Sequence, residues 1–109
     1  MVPMTNAGGS LSGLLAAVVA TLMLPAAVAA QDEAQAMLDS YCVRCHNERT
    51  LTANLALDKK DLANVAADAE TWEKVLVKLR AQTMPPGNSP RPDDATYRRV
   101  ATWLEGEID

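Results

Sequence analysis

Both cysteines and the only histidine of this 109-residue chain lie within one segment, Tyr41–Asn47, whose sequence is YCVRCHN. Thiols and imidazole are the side chains that bind soft metals, carry out redox chemistry or bond to a prosthetic group. Three chemistries fit Cys42-x-x-Cys45-His46: covalent attachment of haem, a dithiol redox pair, or part of a zinc site. A plain Cys42–Cys45 disulfide is the structural alternative, since cysteines of exported proteins often pair.

A haem would use every residue of the motif. Two thiols at positions i and i+3 lie on one side of a helical turn, where both can add to the vinyl groups of one porphyrin. The adjacent His46 would then approach the iron from the same side, as the proximal ligand. The motif therefore favours one covalently bound haem c, attached through Cys42 and Cys45.

The competing chemistries need partners that the sequence does not supply. A thioredoxin-like dithiol is expected in a βαβ unit, and no alternating strand pattern is present. A structural zinc site needs four ligands, whereas this chain has three Cys and His residues in total. The adjacent Cys45 and His46 could hardly both bind a metal together with Cys42.

The distal iron ligand follows by elimination. His46 is the only histidine, so two histidines of one chain cannot bind the iron. If residues 1–30 are removed, Met37 and Met84 are the remaining methionines, and Met37 leads into the motif on the proximal side. Met84 precedes the tandem prolines at 85–86, which stiffen the loop that would present its thioether. We expect Met84 to be the distal ligand, with packing beside the haem as the alternative; a His/Met pair raises the reduction potential and suits electron transfer.

The N-terminal segment has the features of a secretory signal peptide over residues 1–30. No charged residue occurs before Asp32, and Leu11–Leu24 is a compact apolar run followed by the small residues of Ala26–Ala30. This pattern predicts cleavage after Ala29 or Ala30 and export to the periplasm or another compartment outside the cytoplasm. The apolar run is short for a membrane span, which needs about 20 residues. An uncleaved signal would instead anchor the protein in the membrane.

Residues 31–109 would then form a single small domain. A chain of this length buries little apolar surface and usually needs a metal, disulfides or another staple. It contains no Phe, so a haem would supply the bulky apolar group that the core lacks. The net charge of −4, with acids and bases interspersed, gives no nucleic-acid footprint. No paired carboxylates, nucleophile or phosphate loop indicates an enzyme.

The periodicity of apolar residues predicts an all-α fold. We expect a helix from Asp32 to about Cys45, a short helix at 61–67, a helix from about Ala69 to near Thr83, and a last helix capped by Asp93 or Asp94. Trp72 and Trp103 are interpreted as core and haem-packing residues. Five basic residues are interpreted as lying on solvated faces of helices and loops: Lys74, Lys78, Arg91, Arg98 and Arg99.

The order of helix, CxxCH, loop, helix, Met-Pro and terminal helix resembles that of class I c-type cytochromes. The series WEKV…KLR…MPP…RPD is most similar to planctomycete-type cytochrome c domains, and the resemblance covers nearly all of residues 31–109. It implies thioether attachment at Cys42 and Cys45, with His46 and Met84 as the iron ligands. Mitochondrial-type members continue after the motif with a Gly-Pro whose carbonyl orients the histidine. Here Asn47–Thr50 (NERT) stands in that place, so the sequence assigns no partner to the imidazole of His46.

The sequence thus predicts an exported monohaem cytochrome that transfers electrons between redox partner proteins and is not itself an enzyme. A haem-based sensor or interaction module of a larger secreted complex is the second hypothesis. An exported dithiol–disulfide protein is the third.

Overall fold

The computed structural model describes residues 3, 4, 8 and 26–109, and within these ranges the fold is all-α, with no strand. Three α-helices form its frame: α1 (Ala26–Met37), α2 (Ala69–Ala81) and α3 (Asp94–Ile108). A π-helical turn, Leu38–Cys42, continues α1, and 3-10 turns at Thr52–Asn54, Leu57–Lys59 and Leu62–Asp68 connect it to α2. The apolar run Leu11–Leu24 of the predicted signal peptide lies outside the described residues. No helix in the described ranges has the length and hydrophobicity to cross a membrane.

The first helix ends earlier than the sequence predicts. We expected a helix from Asp32 to about Cys45; within the described residues α1 covers Ala26–Met37, and the π-helical turn continues it only to Cys42. In this wide turn the Val43 N–H donates to the Leu38 carbonyl, five residues back, at 3.0 Å. The turn directs the chain out of the helix immediately before Cys45, and such insertions often occur at functional sites.

The other helices agree with the sequence prediction. The short helix predicted at 61–67 is a 3-10 segment, Leu62–Asp68, with a kink at Asn64, whose backbone angles are non-helical (φ −140°, ψ 54°). Helix α2 ends as predicted before the prolines, with Gln82 in the left-handed region at φ 53°. Helix α3 begins after Asp93, whose carboxylate accepts the Thr96 N–H at 2.7 Å.

The core lies between α1, α2 and α3, with residues of the 3-10 turns closing one side. The apolar face of α2 (Trp72, Val75, Leu76, Leu79) points inward, while its charged residues are exposed. Two surface ion pairs join the helices: Glu33 of α1 with Arg99 of α3 at 2.8 Å, and Arg80 of α2 with Glu105 of α3 at 2.5 Å. Exposed pairs of this kind add little stability, so apolar packing holds the frame. The buried hydrophobic residues are Ala34, Met37, Leu38, Leu57, Leu62, Val65, Trp72, Leu79, Tyr97, Val100, Ala101 and Leu104.

Candidate haem site

The Cys42–His46 segment forms a tight turn at the end of the π-helical turn. The backbone N–H groups of Cys45 and His46 both donate to the carbonyl of Cys42, at 3.2 and 3.0 Å. Cys42 is half-buried and Cys45 is exposed, and neither forms a disulfide. The motif therefore has one thiol at the edge of the core and one at the surface.

The environment of Cys42 does not stabilise a thiolate. Burial raises the pKa of the Cys42 thiol to about 11. Cysteines of dithiol oxidoreductases have lowered pKa values instead, because the thiolate is the nucleophile. The raised pKa of Cys42 thus lends no support to the dithiol hypothesis.

A backbone carbonyl orients the imidazole of His46. Its Nδ1 lies 2.8 Å from the carbonyl oxygen of Thr52. A carbonyl only accepts hydrogen bonds, so Nδ1 carries the proton and donates it, which leaves the lone pair of Nε2 available to a metal. Histidine ligands of metals are commonly oriented by such a bond. Thr52 therefore supplies the partner that the sequence did not assign.

Asn47 holds the loop that brings Thr52 to His46. Its side-chain Nδ2 donates to the carbonyl of Val43 at 2.6 Å, and its Oδ1 accepts the N–H groups of Arg49 and Thr50 at 3.0 and 2.8 Å. The two ends of the turn are thus joined by one side chain. Two further backbone bonds, Thr52 N–H to the Cys45 carbonyl and Leu57 N–H to the His46 carbonyl, complete the loop.

Two cavities adjoin at this site. One, of about 360 Å³, lies between the motif and the proline-rich loop; the other, of about 370 Å³, lies between the motif, Leu55 and the face of α2 that carries Val75. Cys42, His46 and Met84 line both of them. The fold therefore brings together three of the four predicted site residues at one boundary, and Cys45 lines the first cavity only.

The family comparison identifies the domain. Residues 29–104 match the family model described as cytochrome c oxidase, cbb3-type, subunit III. The chain belongs to this family of cytochrome c domains. It is a class I c-type cytochrome with the all-α fold of that class, which makes it a haem-binding electron carrier. No curated protein and no solved structure matched the chain.

The residues of this cytochrome domain fit a haem. Each cavity has the size of a small-molecule site, about 300–1,000 Å³. The imidazole at their shared boundary has its Nε2 available, and aliphatic side chains such as Leu57 and Leu79 line the second cavity. Haem is a large, mostly apolar ligand whose iron takes an axial histidine, so the donor set and the surroundings agree with it.

The surroundings of Trp72 and Arg91 can be compared with their interpretation from the sequence. Trp72 is only 1% exposed but lines neither cavity, and its Nε1–H has no hydrogen-bond partner among the described residues. Trp72 is thus a core residue, as the sequence predicts. Arg91 is not a solvated loop residue: it is half-buried and donates to two backbone carbonyls.

Proposed function

We propose that this chain is an exported monohaem c-type cytochrome that carries one electron at a time between redox partner proteins. In this proposal Cys42 and Cys45 hold one haem c through thioether bonds, and His46 and Met84 are the axial ligands of its iron. The observation that carries the proposal is that His46 and Met84 line the same two cavities, and that the Nε2 of His46 is free to bind a metal. When bound, haem supplies an iron that accepts and releases one electron.

The two proposed ligands have different tasks. The Nδ1–H of His46 donates to the Thr52 carbonyl, which fixes the ring and raises the basicity of Nε2. The thioether of Met84 is a neutral, soft ligand that favours the reduced metal and so raises the reduction potential. Met84 is 36% exposed, so its own packing restrains it little, and the backbone of its loop must position it.

The proposal includes export and cleavage of residues 1–30. Residues 26–29 of α1 are exposed, whereas the residues of α1 that reach the core, Ala34 and Met37, follow the predicted cleavage position. Both buried residues of α1 would thus be retained after cleavage at that position. The CxxCH motif supports a periplasmic or otherwise exported location, since bacterial haem attachment takes place outside the cytoplasm. An uncleaved signal would give a membrane-anchored carrier of the same chemistry.

Within class I cytochromes, we place the chain with planctomycete-type domains on the residue series quoted above. Its partners are proposed to be redox proteins of unassigned identity, with no nucleic acid among them. We do not assign it an enzymatic activity, because a His/Met pair leaves no coordination position for a substrate.

Replacing Met84 with Ala tests the proposal. Loss of the thioether should lower the reduction potential and remove the far-red absorption band that marks ferric iron bound by methionine. It should also raise the apparent affinity of the ferric protein for imidazole by at least about tenfold, because the competing ligand is gone. Redox titration and imidazole titration measure these effects.

Met37→Leu is the matched control, since it removes the other methionine of the mature domain at a buried position that lines neither cavity. This variant should keep the band and the parent affinity. If the parent bound imidazole as tightly as Met84→Ala, the distal position would be open, as the sensor hypothesis expects, and the His/Met assignment would be wrong.

A further inference from the structure

The segment that carries Met84 has few hydrogen bonds of its own. Pro85 and Pro86 lack N–H groups, so this stretch cannot donate from two successive positions. The left-handed residue Gln82 ends α2, and the next turn bond within the loop is Ser89 N–H to the Pro86 carbonyl at 2.9 Å. The carbonyls of residues 82–85 therefore need donors from elsewhere.

Two side chains further along the chain supply those donors, one from the end of the loop and one from α3. The guanidinium of Arg91 donates through Nη1 to the Pro85 carbonyl at 2.6 Å and through Nη2 to the Gln82 carbonyl at 2.7 Å. The hydroxyl of Tyr97 donates to the Met84 carbonyl at 2.9 Å. Three of the four carbonyls from Gln82 to Pro85 are thus bound by one Arg and one Tyr.

The two donors also restrain each other. The guanidinium carbon of Arg91 lies 5.5 Å from the centre of the Tyr97 ring, within the range of a cation–π contact. Tyr97 is only 2% exposed and lies on α3, in the core. Tyr97 therefore connects the loop to α3 directly, and Arg91 connects it to α3 through its contact with the Tyr97 ring.

We propose that Arg91 and Tyr97 are positioning residues that hold Met84 at the haem iron. This inference rests on the proposed ligation by Met84. The fork of Arg91 spans Gln82 and Pro85, on either side of Met84, while Tyr97 holds Met84 itself by its carbonyl. Met84 is partly exposed, so these bonds to the loop backbone, rather than side-chain packing, hold its thioether at the iron. Weakening the hydrogen bonds of Arg91 therefore raises the fraction of molecules in which Met84 has left the iron.

The test is a double-mutant cycle on imidazole binding by the haem-loaded ferric protein. Apparent affinity increases with the fraction of protein whose distal position is open. Arg91→Gln removes a bidentate charged donor, so the apparent affinity should rise by about ten- to a hundredfold. Tyr97→Phe keeps the ring and removes one neutral bond, so it should give a smaller rise, up to about tenfold.

The same substitutions are then made in Met84→Ala. There the distal position is permanently open, so Arg91→Gln and Tyr97→Phe should leave the imidazole affinity unchanged. Arg91→Lys should fall between parent and Arg91→Gln, because an ammonium keeps the charge but cannot match the fork. Arg80→Gln is the control: it removes an Arg that pairs with Glu105 and lines neither cavity, and it should have no effect.

Equal effects of Arg91→Gln with and without Met84, or no effect in either background, would overturn the inference while leaving Met84 as a ligand. If Met84→Ala itself left imidazole binding unchanged, the proposed ligation would fail, and the positioning role with it. Far-UV circular dichroism and haem absorbance show whether each variant is folded and loaded.

Discussion

The orientation of the His46 imidazole depends on a hydrogen bond to the backbone carbonyl of Thr52, six residues further along the chain. The bond from Nδ1 to the Thr52 carbonyl requires the 47–52 loop to fold back over the motif. Leu51 in this loop, and Ala53 and Asn54 directly after it, have left-handed backbone angles, which cost energy for non-glycine side chains. The side-chain amide of Asn47 offsets this cost, because it donates to the Val43 carbonyl in the motif and accepts the Thr50 N–H in the loop.

Asn47→Ala should therefore destabilise the domain and loosen His46. It removes a half-buried amide that donates to Val43 and accepts from two backbone N–H groups, which should cost about 1–3 kcal/mol of unfolding free energy. Guanidinium chloride unfolding of the haem-loaded protein measures this loss. Gln35→Ala is the control, since Gln35 is exposed and bonds only to Asp39, so its effect should stay within about 0.5 kcal/mol. Equal stabilities of the two variants would contradict this role of Asn47.

At the scale of residues, the sequence could point to the candidate site but not to what supports it. Cys42, Cys45, His46 and Met84 stand out because haem chemistry requires those residue types, and the fold brings three of them to one boundary. Thr52 acts through its carbonyl, which every residue has, so no residue type marks it. Arg91 resembles any surface Arg in sequence, because only the folded loop reveals that it faces two carbonyls.

At the scale of elements, Met84 lies in the connection between α2 and α3, so the ends of these helices control its position. Helix α2 stops at Gln82, whose N–H donates to the Leu79 carbonyl, and the Thr83 N–H donates to that of Lys78. Helix α3 starts at the Asp93 cap. The loop is therefore anchored at both ends before its own residues contribute.

The cap of α3 should make stability depend on pH in the acid range. Hydrogen bonds from the Thr96 side chain and backbone, with Arg99 and Arg98 nearby, hold the pKa of Asp93 below its usual value. The stability that this carboxylate contributes is present above its unfolded pKa of about 3.9 and is lost as pH falls through the lower folded pKa. Urea unfolding from neutral to acid pH measures the loss.

Asp93→Asn removes the negative charge of the side chain but keeps an oxygen that can cap the helix. Asparagine caps helices about as well as aspartate, so this variant should be close to the parent in the acid limit and lose less stability on acidification. Asp93→Ala lacks the acceptor and should be less stable than the parent at neutral pH. Identical pH dependence of the parent and Asp93→Asn would contradict the assignment of this acid sensitivity to the cap.

The helices were predictable where local signals agreed with packing. In α2 and α3, apolar periodicity, the prolines after Thr83 and the Asp93 cap all indicate the same bounds, and the structure has them. The π-helical turn at Leu38–Cys42 was not predictable, because its residues have ordinary helical spacing and tertiary packing decides the wider turn. A short helix at 61–67 is predicted from the sequence, but its 3-10 type is not, since apolar spacing alone does not distinguish a short α-helix from a 3-10 segment.

At the scale of the whole molecule, the helical core and the haem site occupy adjoining regions. Trp72, Tyr97 and Leu104 fill the space between the helices, and Cys42 lies at the edge of that core, where the two cavities begin. A domain of about eighty residues buries only about 60% of its unfolded surface, so a covalently held group beside the core would add stability where it is needed. The all-α class followed from the sequence because helical periodicity was present and strand alternation was not.

The central claim is that one haem is bonded to Cys42 and Cys45 of an exported, cleaved chain. The most direct measurement is the intact mass, under denaturing conditions, of the protein exported from a host with haem-attachment machinery. The account predicts the mass of residues 31–109, or of 30–109 if cleavage follows Ala29, plus one haem, and the mass of the polypeptide alone for a Cys42→Ala/Cys45→Ala variant. A parent mass without haem, lighter than the polypeptide by two hydrogens, would mean a Cys42–Cys45 disulfide and would contradict the cytochrome assignment of this site.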